Sequence, residues 1–279
     1  MHPIVYEIRD ALRGYYPDSE ALSLAKMLLV EAFGFSTLEL YGGKDKEISG
    51  NRLRDLHEML SRLQKNEPIQ YILGKETFCG LTFEVDENVL IPRPETRELV
   101  EWIVADYESV PACRILDVGT GSGCISISLA KFIPSASVES WDISEGALEV
   151  ARRNCKLNEV EVLLRQQDVL SAQPEPACFD VIVSNPPYIT ESEKADMEAN
   201  VLDWEPATAL FVPDTGPLLF YRKIAELGAV MLEEGGSLYF EINRSYGNET
   251  VQMLEALGYK QIELRKDDWG NDRMIKARR

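Results

Sequence analysis

The sequence has few of the residues that build metal sites and histidine-based catalytic sites. Its 279 residues include two histidines and five cysteines, and no two cysteines have the C-x-x-C spacing of common zinc sites. No run of about 18 apolar residues occurs, and the N-terminus lacks the basic and apolar regions of a secretion signal. We therefore expect a soluble, reduced, cytoplasmic protein with no metal site and no contact with a membrane.

Positive charge is scarce in the larger part of the chain. The whole chain has a net charge of −18. Residues 1–75 contain 10 lysines and arginines and 11 acidic residues, whereas residues 76–279 contain 19 and 36. A surface that follows a nucleic-acid backbone is normally basic, because each phosphate contact works by displacing counterions. The charge distribution therefore argues against stable nucleic-acid binding.

Hydrophobic periodicity divides the chain into three parts. In residues 1–75 the apolar residues recur at helical spacing, which predicts a small helical domain. Residues 76–91 contain short alternating runs, which predict a β-hairpin linker. Residues 92–279 form the third part, which opens with a helix near Pro94, since proline suits a first helical turn.

Beyond residue 112, strand and helix patterns alternate, as is typical of a parallel sheet covered on both faces. The predicted strands are 114–118, 137–141, 160–165, 179–184, 237–242, 261–264 and 274–277. The last two leave no room for a helix between them, so we expect them to form an antiparallel hairpin. The expected fold class is therefore α/β, with a Rossmann-like seven-stranded core.

A glycine-rich loop follows the first predicted strand of this core. Its residues are Gly119, Thr120, Gly121, Ser122 and Gly123. Glycine lets the backbone turn sharply and approach a ligand, with free N–H groups at the start of the next helix. The sixth position is Cys124, which does not fit the G-x-G-x-x-G/A fingerprint of dinucleotide folds. The spacing resembles the first motif of S-adenosylmethionine-dependent methyltransferases.

Three acidic residues near this loop are candidate ligands of a nucleoside cofactor. Asp142 follows the second predicted strand, where its carboxylate can accept both ribose hydroxyls. Asp168, which we place at the end of the third strand, can receive an adenine amino group, with Val169 beside the ring. Asp117, before the loop, either orients the loop or meets the amino group of the cofactor.

The second motif is Asn185, Pro186, Pro187 and Tyr188, which follows the fourth predicted strand. An amide or exocyclic amine nitrogen is a weak nucleophile, because its lone pair is delocalised. The Asn185 side-chain oxygen and the Pro186 carbonyl can accept its two N–H hydrogens. The two prolines restrict the backbone and so fix the direction of that carbonyl. Tyr188 can pack against a planar acceptor. A nucleobase amine and a glutamine amide both satisfy this chemistry.

Almost the whole chain resembles the HemK/PrmC family, the protein-(glutamine-N5) methyltransferases that modify peptide chain release factors. The matching segments are 67–74, 89–96, 117–123, 184–189, 205–210 and 267–273. The stretches 92–96 and 267–273 are not expected of a generic nucleobase enzyme, so the joint match is specific. The sequence departs from the family pattern at Arg97, where glutamate is common.

The resemblance implies methylation of the glutamine in the Gly-Gly-Gln loop of class I release factors, and so a part in translation termination. It implies that the loop 119–123, Asp142, Val169 and Asn185 contact S-adenosylmethionine, which leaves as S-adenosylhomocysteine. Arg93 and Thr96 would border the cofactor pocket, and 185–188 would hold the glutamine. The helical domain would grip the release factor away from that loop.

Two other functions remain open at this stage. An adenine-amine methyltransferase acting on DNA or RNA would be expected to have a basic cleft or an added recognition domain. A binding protein that kept the fold and lost the chemistry would be expected to have a broken glycine loop or a broken Asn-Pro-Pro-Tyr motif. Both motifs are intact.

Overall fold

The computed structural model describes residues 1–42, 48–176 and 178–279. Its α-helices are α1 (Pro3–Ala11), α2 (Asp18–Glu31), α3 (Thr37–Gly42), α4 (Asn51–Leu63), α5 (Ile69–Leu73), α6 (Pro94–Tyr107), α7 (Cys124–Phe132), α8 (Glu145–Asn158), α9 (Ala199–Leu202), α10 (Ala207–Leu210), α11 (Leu219–Met231) and α12 (Gly247–Ala256). Its strands are β1 (Lys75–Phe78), β2 (Leu81–Glu84), β3 (Cys113–Val118), β4 (Ala136–Asp142), β5 (Leu163–Gln166), β6 (Phe179–Ser184), β7 (Ile189–Thr190), β8 (Phe211–Val212), β9 (Leu232–Glu241), β10 (Lys260–Lys266) and β11 (Asp272–Arg278).

The first of two compact units comprises Met1–Lys75 and Glu198–Trp204. Its helices share one core, which includes the fully buried side chains of Leu28 and Leu63. The Trp204 Nε1 donates a hydrogen bond to the carbonyl of residue 65 in the same unit (3.1 Å). Helices α3 and α5 have six and five residues, too few to show a clear helical period in the sequence.

The second unit comprises Glu76–Met197 and Glu205–Arg279 and contains a seven-stranded sheet of order β10-β11-β9-β6-β3-β4-β5. The pairs β3–β4, β3–β6, β4–β5 and β6–β9 are parallel. Strand β11 runs antiparallel to both β9 and β10. The α/β fold class and the terminal hairpin predicted from the sequence are therefore confirmed.

Apolar side chains cover both faces of this sheet, because neighbouring residues of a strand point to opposite sides. In β3, Ile115 belongs to one buried cluster and Leu116 to the other. In β9, Tyr239 and Phe240 divide in the same way. Strands that are buried on both faces have nearly continuous apolar sequences, and these apolar runs made the strands predictable from the sequence.

Two strands of the sheet begin three or more residues from their predicted starts, whereas the bounds of the other five agree with the prediction to within two residues. Strand β5 begins at Leu163 rather than at residue 160, because Glu159 has a left-handed conformation and the Val160 N–H still bonds to the end of α8. Strand β9 begins at Leu232, five residues before the prediction. Its pairing with β6 shifts register there, around a left-handed Gly235, and such a bulge hides the alternating pattern.

The topology sets where a ligand can bind. Strand β3 lies inside the sheet, with β4 on one side and β6 on the other. The chain leaves β3 toward β4 and later returns to β6, so the loops after β3 and β6 diverge. In open α/β sheets a crevice forms at such a reversal, outside the carboxyl ends of the strands.

Candidate active site

A cavity of about 350 Å³ lies at the carboxyl ends of β3, β4 and β6. The residues predicted from the sequence that line it are Arg93, Thr96, Gly119, Thr120, Gly121, Ser122, Asp142, Asp168, Val169, Asn185, Pro186 and Pro187. Asp117, Gly123 and Tyr188 lie outside the lining. Residues from distant parts of the sequence therefore share one crevice.

The glycine loop is held by strand β4. The N–H groups of Gly119 and Thr120 both donate to the Trp141 carbonyl, at 2.8 and 3.0 Å, and Gly121 N–H donates to Asp142 Oδ2 at 2.9 Å. Gly121 has a φ of 54°, which glycine adopts readily. These hydrogen bonds attach the loop to the neighbouring strand, so the N–H groups of these three residues already have partners within the protein.

Gly123 has a packing requirement of its own. It caps α7 with a φ of 82°, and a Cβ at this position would lie 2.7 Å from the Ile127 Cδ1. Its side of the loop faces the helix, consistent with its absence from the cavity lining.

Asp142 ends β4 and connects the loop to the next helix. One carboxylate oxygen accepts from Gly121 N–H, and the other accepts from Ser144 N–H at 2.9 Å. Burial raises the pKa of this carboxyl, while the backbone donors oppose the shift. Each carboxylate oxygen can accept two hydrogen bonds, so the carboxylate keeps at least one acceptor site for a ligand hydroxyl.

Asp117 is completely buried behind the loop. Its Oδ2 accepts from the Thr120 hydroxyl at 2.6 Å, and burial raises its pKa to about 7. Of the two roles that the sequence left open, the geometry favours support of the loop.

Asp168 and Val169 lie on the loop after β5. Asp168 comes two residues after the strand end rather than at it, which corrects the predicted position. Its Oδ1 accepts from Leu170 N–H at 2.9 Å, so this carboxylate also fixes the turn that carries it. Val169 lines the cavity and packs against the core cluster beside it.

Asn185 follows β6, which lies on the other side of β3 from β4 and its Asp142. The Ser184 hydroxyl before it donates to the Val118 carbonyl (2.6 Å), which ties the ends of β6 and β3 together. The Asn185 Nδ2 donates to the Thr96 hydroxyl at 3.2 Å. Among the described residues, the Asn185 Oδ1 has no protein donor, and Asn185 lines the cavity.

Arg93 and Glu205 join two segments that border the cavity. The Arg93 guanidinium lies 2.5 Å from Glu205 Oε1, and the Glu205 side chain is 1% exposed. Burial raises the pKa of Glu205, and the charge of Arg93 opposes that shift. The segment 205–210 is further held where Phe211 pairs with Ile189 between β8 and β7.

Glu241 is a residue of this region that the sequence reasoning missed. It ends β9, is 1% exposed, and accepts from the Thr96 hydroxyl at 2.6 Å and from the Tyr188 hydroxyl at 3.3 Å. Burial raises its pKa, and it also raises that of the Tyr188 phenol. The predicted strand 237–242 encloses Glu241, so the signal that identified Asp142, an acid following a predicted strand, was not present here.

Two comparisons of the sequence with known proteins identify the family. Residues 96–204 match the family described as Methyltransferase small domain, and residues 5–74 match the PrmC N-terminal domain. The release factor glutamine methyltransferase of Bacteroides thetaiotaomicron is 51% identical, over 100% of both chains. That of Flavobacterium psychrophilum is 46% identical over 96% of this chain and 95% of its own.

The chain belongs to the release factor glutamine methyltransferase family. It is an S-adenosylmethionine-dependent methyltransferase, which confirms the resemblance seen in the motifs.

Solved structures agree with this fold. A methyltransferase from Pyrococcus furiosus gives a TM-score of 0.53 at 20% identity and covers 82% of this chain and 98% of its own. The 16S rRNA N2 G1207 methyltransferase of Thermus thermophilus, solved with AdoMet and guanosine, gives 0.52 at 18% identity, covering 74% of this chain and 49% of its own.

Two features that the sequence analysis considered do not occur in the described parts of the chain. No helix there is long and apolar enough to cross a membrane. In the same residues, no group of three or more histidine, cysteine, aspartate or glutamate side chains is arranged to hold a metal ion.

Proposed function

We propose that this protein methylates the side-chain amide nitrogen of the glutamine in the Gly-Gly-Gln loop of class I release factors, and so modulates translation termination in the cytoplasm. The relatives named above support the substrate. The observation that carries the chemistry is the Asn185 Oδ1, which has no donor among the described residues and stands beside Pro186 in the cavity lining, since these acceptors suit a planar NH₂ group.

The cavity residues fit the cofactor by the chemistry of their donors and acceptors. Asp142 would accept from the ribose hydroxyls, and Asp168 from the adenine amino group, with Val169 against the ring. Arg93 and Thr96 would border the cofactor, and Asp117 would hold the loop in place from behind. When bound, the cofactor supplies a methyl group on a positively charged sulfur atom.

The protein's contribution to the transfer is mainly to position the acceptor. The Asn185 side chain and the Pro186 carbonyl would each accept one N–H of the glutamine amide. The nitrogen lone pair then points toward the cofactor end of the cavity. Fixing the reacting groups in this way removes much of the entropic barrier. The departing proton can go to water, so the reaction needs no general base.

Tyr188 and Pro187 would shape the acceptor side. The Tyr188 ring is half-buried and packs against the core cluster while its hydroxyl donates to Glu241. In this state the ring lies outside the cavity lining, so we propose that it supports the 185–188 segment and borders the glutamine at its edge.

We propose that residues 1–75 form the part that recognises the release factor, apart from the glutamine, and that residues 92–279 carry out catalysis. The helical unit exposes large apolar side chains, with Tyr15 53%, Leu38 80% and Tyr41 54% exposed. Aromatic residues are enriched in the centres of protein interfaces, which supports this role.

The test is transfer of labelled methyl from S-adenosylmethionine to a purified class I release factor. The control is the same factor with its loop glutamine replaced. We expect label on the first and none on the second. Label on DNA or RNA in parallel reactions, with none on the release factor, would instead favour an adenine-amine methyltransferase. Absence of label on every substrate would contradict the enzymatic function.

A further inference from the structure

The acceptor asparagine is joined to a buried carboxylate by a chain of hydrogen bonds. The Asn185 Nδ2 donates to Thr96 Oγ1 at 3.2 Å, and Thr96 Oγ1 donates to Glu241 Oε2 at 2.6 Å. Thr96 is 3% exposed and Glu241 1%. The three side chains come from the end of β6, the first turn of α6 and the end of β9. Three separate elements therefore meet at one threonine hydroxyl.

Which group donates in each of these hydrogen bonds follows from the hydrogens that each group carries. A threonine hydroxyl has one hydrogen to donate and two lone pairs that accept. A carboxylate has no hydrogen, so the Thr96 hydroxyl must donate to Glu241, and it can only accept from Asn185. Burial raises the pKa of Glu241, whereas the hydrogen bonds from Thr96 and Tyr188 and the positive charge of Arg273 oppose that shift and favour the ionised carboxylate. Arg273 lies beside it and donates to the adjacent Ile242 carbonyl at 3.3 Å.

The direction of these hydrogen bonds determines how the Asn185 amide is oriented. An asparagine amide can be turned with either its NH₂ or its oxygen toward a given partner. Because Thr96 Oγ1 can only accept, the Asn185 NH₂ is turned toward Thr96. The Asn185 Oδ1 is then left facing the cavity, where it can accept from the substrate.

We propose that Glu241 is a positioning residue for methyl transfer, which acts through Thr96 to fix the orientation of the Asn185 amide. The proposal rests on the proposed function, since it explains how the glutamine NH₂ meets an acceptor. Without the carboxylate, the Thr96 hydroxyl could donate to Asn185 Oδ1. The amide would then turn its NH₂ toward the substrate NH₂, and two donors would face each other.

The same carboxylate holds the other end of the motif. Glu241 Oε1 accepts from the Tyr188 hydroxyl at 3.3 Å. The Glu241 carboxylate is therefore connected to both ends of the Asn-Pro-Pro-Tyr segment, directly to Tyr188 and through Thr96 to Asn185. Each carboxylate oxygen thus has a hydrogen-bond donor, Tyr188 for Oε1 and Thr96 for Oε2, so the buried charge is hydrogen-bonded.

The first test is Thr96→Val, which keeps the shape of the side chain and removes the hydroxyl. We expect kcat for the release factor to fall about tenfold or more, with KM within about threefold, because orientation and not affinity is lost. Thr96→Ser should recover most of kcat, since it restores the hydroxyl. Calorimetric affinity for S-adenosylhomocysteine should change little in either variant.

The matched control is Thr250→Val in α12. Thr250 is also fully buried, and its hydroxyl donates to the Tyr246 carbonyl at 2.7 Å. This variant also removes a buried hydroxyl, but it loses one hydrogen bond where Thr96→Val loses two, so its melting temperature should fall by no more than that of Thr96→Val. Its kcat should stay near that of the wild type, which separates positioning from general stability.

The second test is the double-mutant cycle of Thr96→Val with Glu241→Gln. If Glu241 acts through Thr96, its replacement should add little to the loss of kcat already caused by Thr96→Val. Independent, multiplying losses would overturn the proposal. So would a fall in cofactor affinity parallel to kcat, or an unchanged kcat in Thr96→Val. If the wild-type protein itself transfers no methyl to the release factor, the proposed function fails instead.

Discussion

The two sides of the cavity are built in different ways. On the cofactor side, contacts are local in sequence: Thr120 bonds to Asp117, three residues away, and Gly121 to Asp142, 21 residues away. On the acceptor side, Thr96 bonds to Glu241 across 145 residues and to Asn185 across 89. The first side is held by contacts between neighbouring stretches of the chain, and the second is held by side chains carried by elements that are distant in sequence.

This difference predicts that binding and chemistry can be separated by mutation. Changes on the cofactor side should alter affinity for the cofactor, and changes on the acceptor side should alter the rate of transfer.

The largest effect is expected for Asn185→Ala. The variant removes the side-chain acceptor for the glutamine amide, so kcat should fall about 100-fold or more, in line with losses of other preorganised polar groups. Calorimetry should show that part of the affinity for S-adenosylmethionine remains. Asn248→Ala, at an exposed position of α12, is the matched control and should keep wild-type kcat. Wild-type turnover in Asn185→Ala would remove Asn185 from its proposed role.

Asp142→Ala should affect the other side of the cavity. It removes an acceptor for the ribose and the partner of Gly121 N–H, so the Kd for the cofactor should rise about tenfold or more. Asp142→Asn keeps one acceptor oxygen and should bind with intermediate affinity. Equal calorimetric Kd values for Asp142→Ala and the wild type would exclude a contact between Asp142 and the ribose.

The smallest effect concerns Asp117 and depends on pH. Burial raises its pKa from 3.8 to about 7 in the folded protein, whereas the unfolded chain keeps the lower value. The folded state therefore binds this proton more tightly, and the free energy of unfolding loses this contribution as pH rises from about 4 to 7. Asp117→Asn carries no such proton, and its amide oxygen can still accept from Thr120.

The measurement is the free energy of unfolding by denaturant at pH 5 and pH 8. The stability of Asp117→Asn relative to the wild type should increase by about 1–3 kcal/mol between these pH values. A difference that does not change with pH would show that Asp117 has no raised pKa.

The fold was predictable where the signal is local. Each predicted strand or helix was recognised from the pattern of a few consecutive residues. The same holds for the glycine loop and for the short gap before β11. Helices α3 and α5 were not resolved from the pattern because a single turn shows no period. The start of β9 was missed because a bulge at Gly235 interrupts the alternation.

The site was predictable in part for the same reason. Asp142 and Asn185 follow apolar strands, so the topology alone brings them to one edge of the sheet. The pairing of Arg93 with Glu205 and the role of Glu241 depend on which loops meet in space. Residues that act through a third side chain leave no spacing in the sequence to detect.

If the two sides of the cavity perform separate tasks, defects on the two sides should respond differently to the concentration of the cofactor. The direct test is the single-turnover rate of methyl transfer to the release factor, measured for Asp142→Ala and Asn185→Ala at increasing concentrations of S-adenosylmethionine. We expect the rate of Asp142→Ala to approach the wild-type value as the cofactor saturates, while the rate of Asn185→Ala stays low. Recovery of Asn185→Ala at high cofactor concentration, or a lasting defect in Asp142→Ala, would contradict the account.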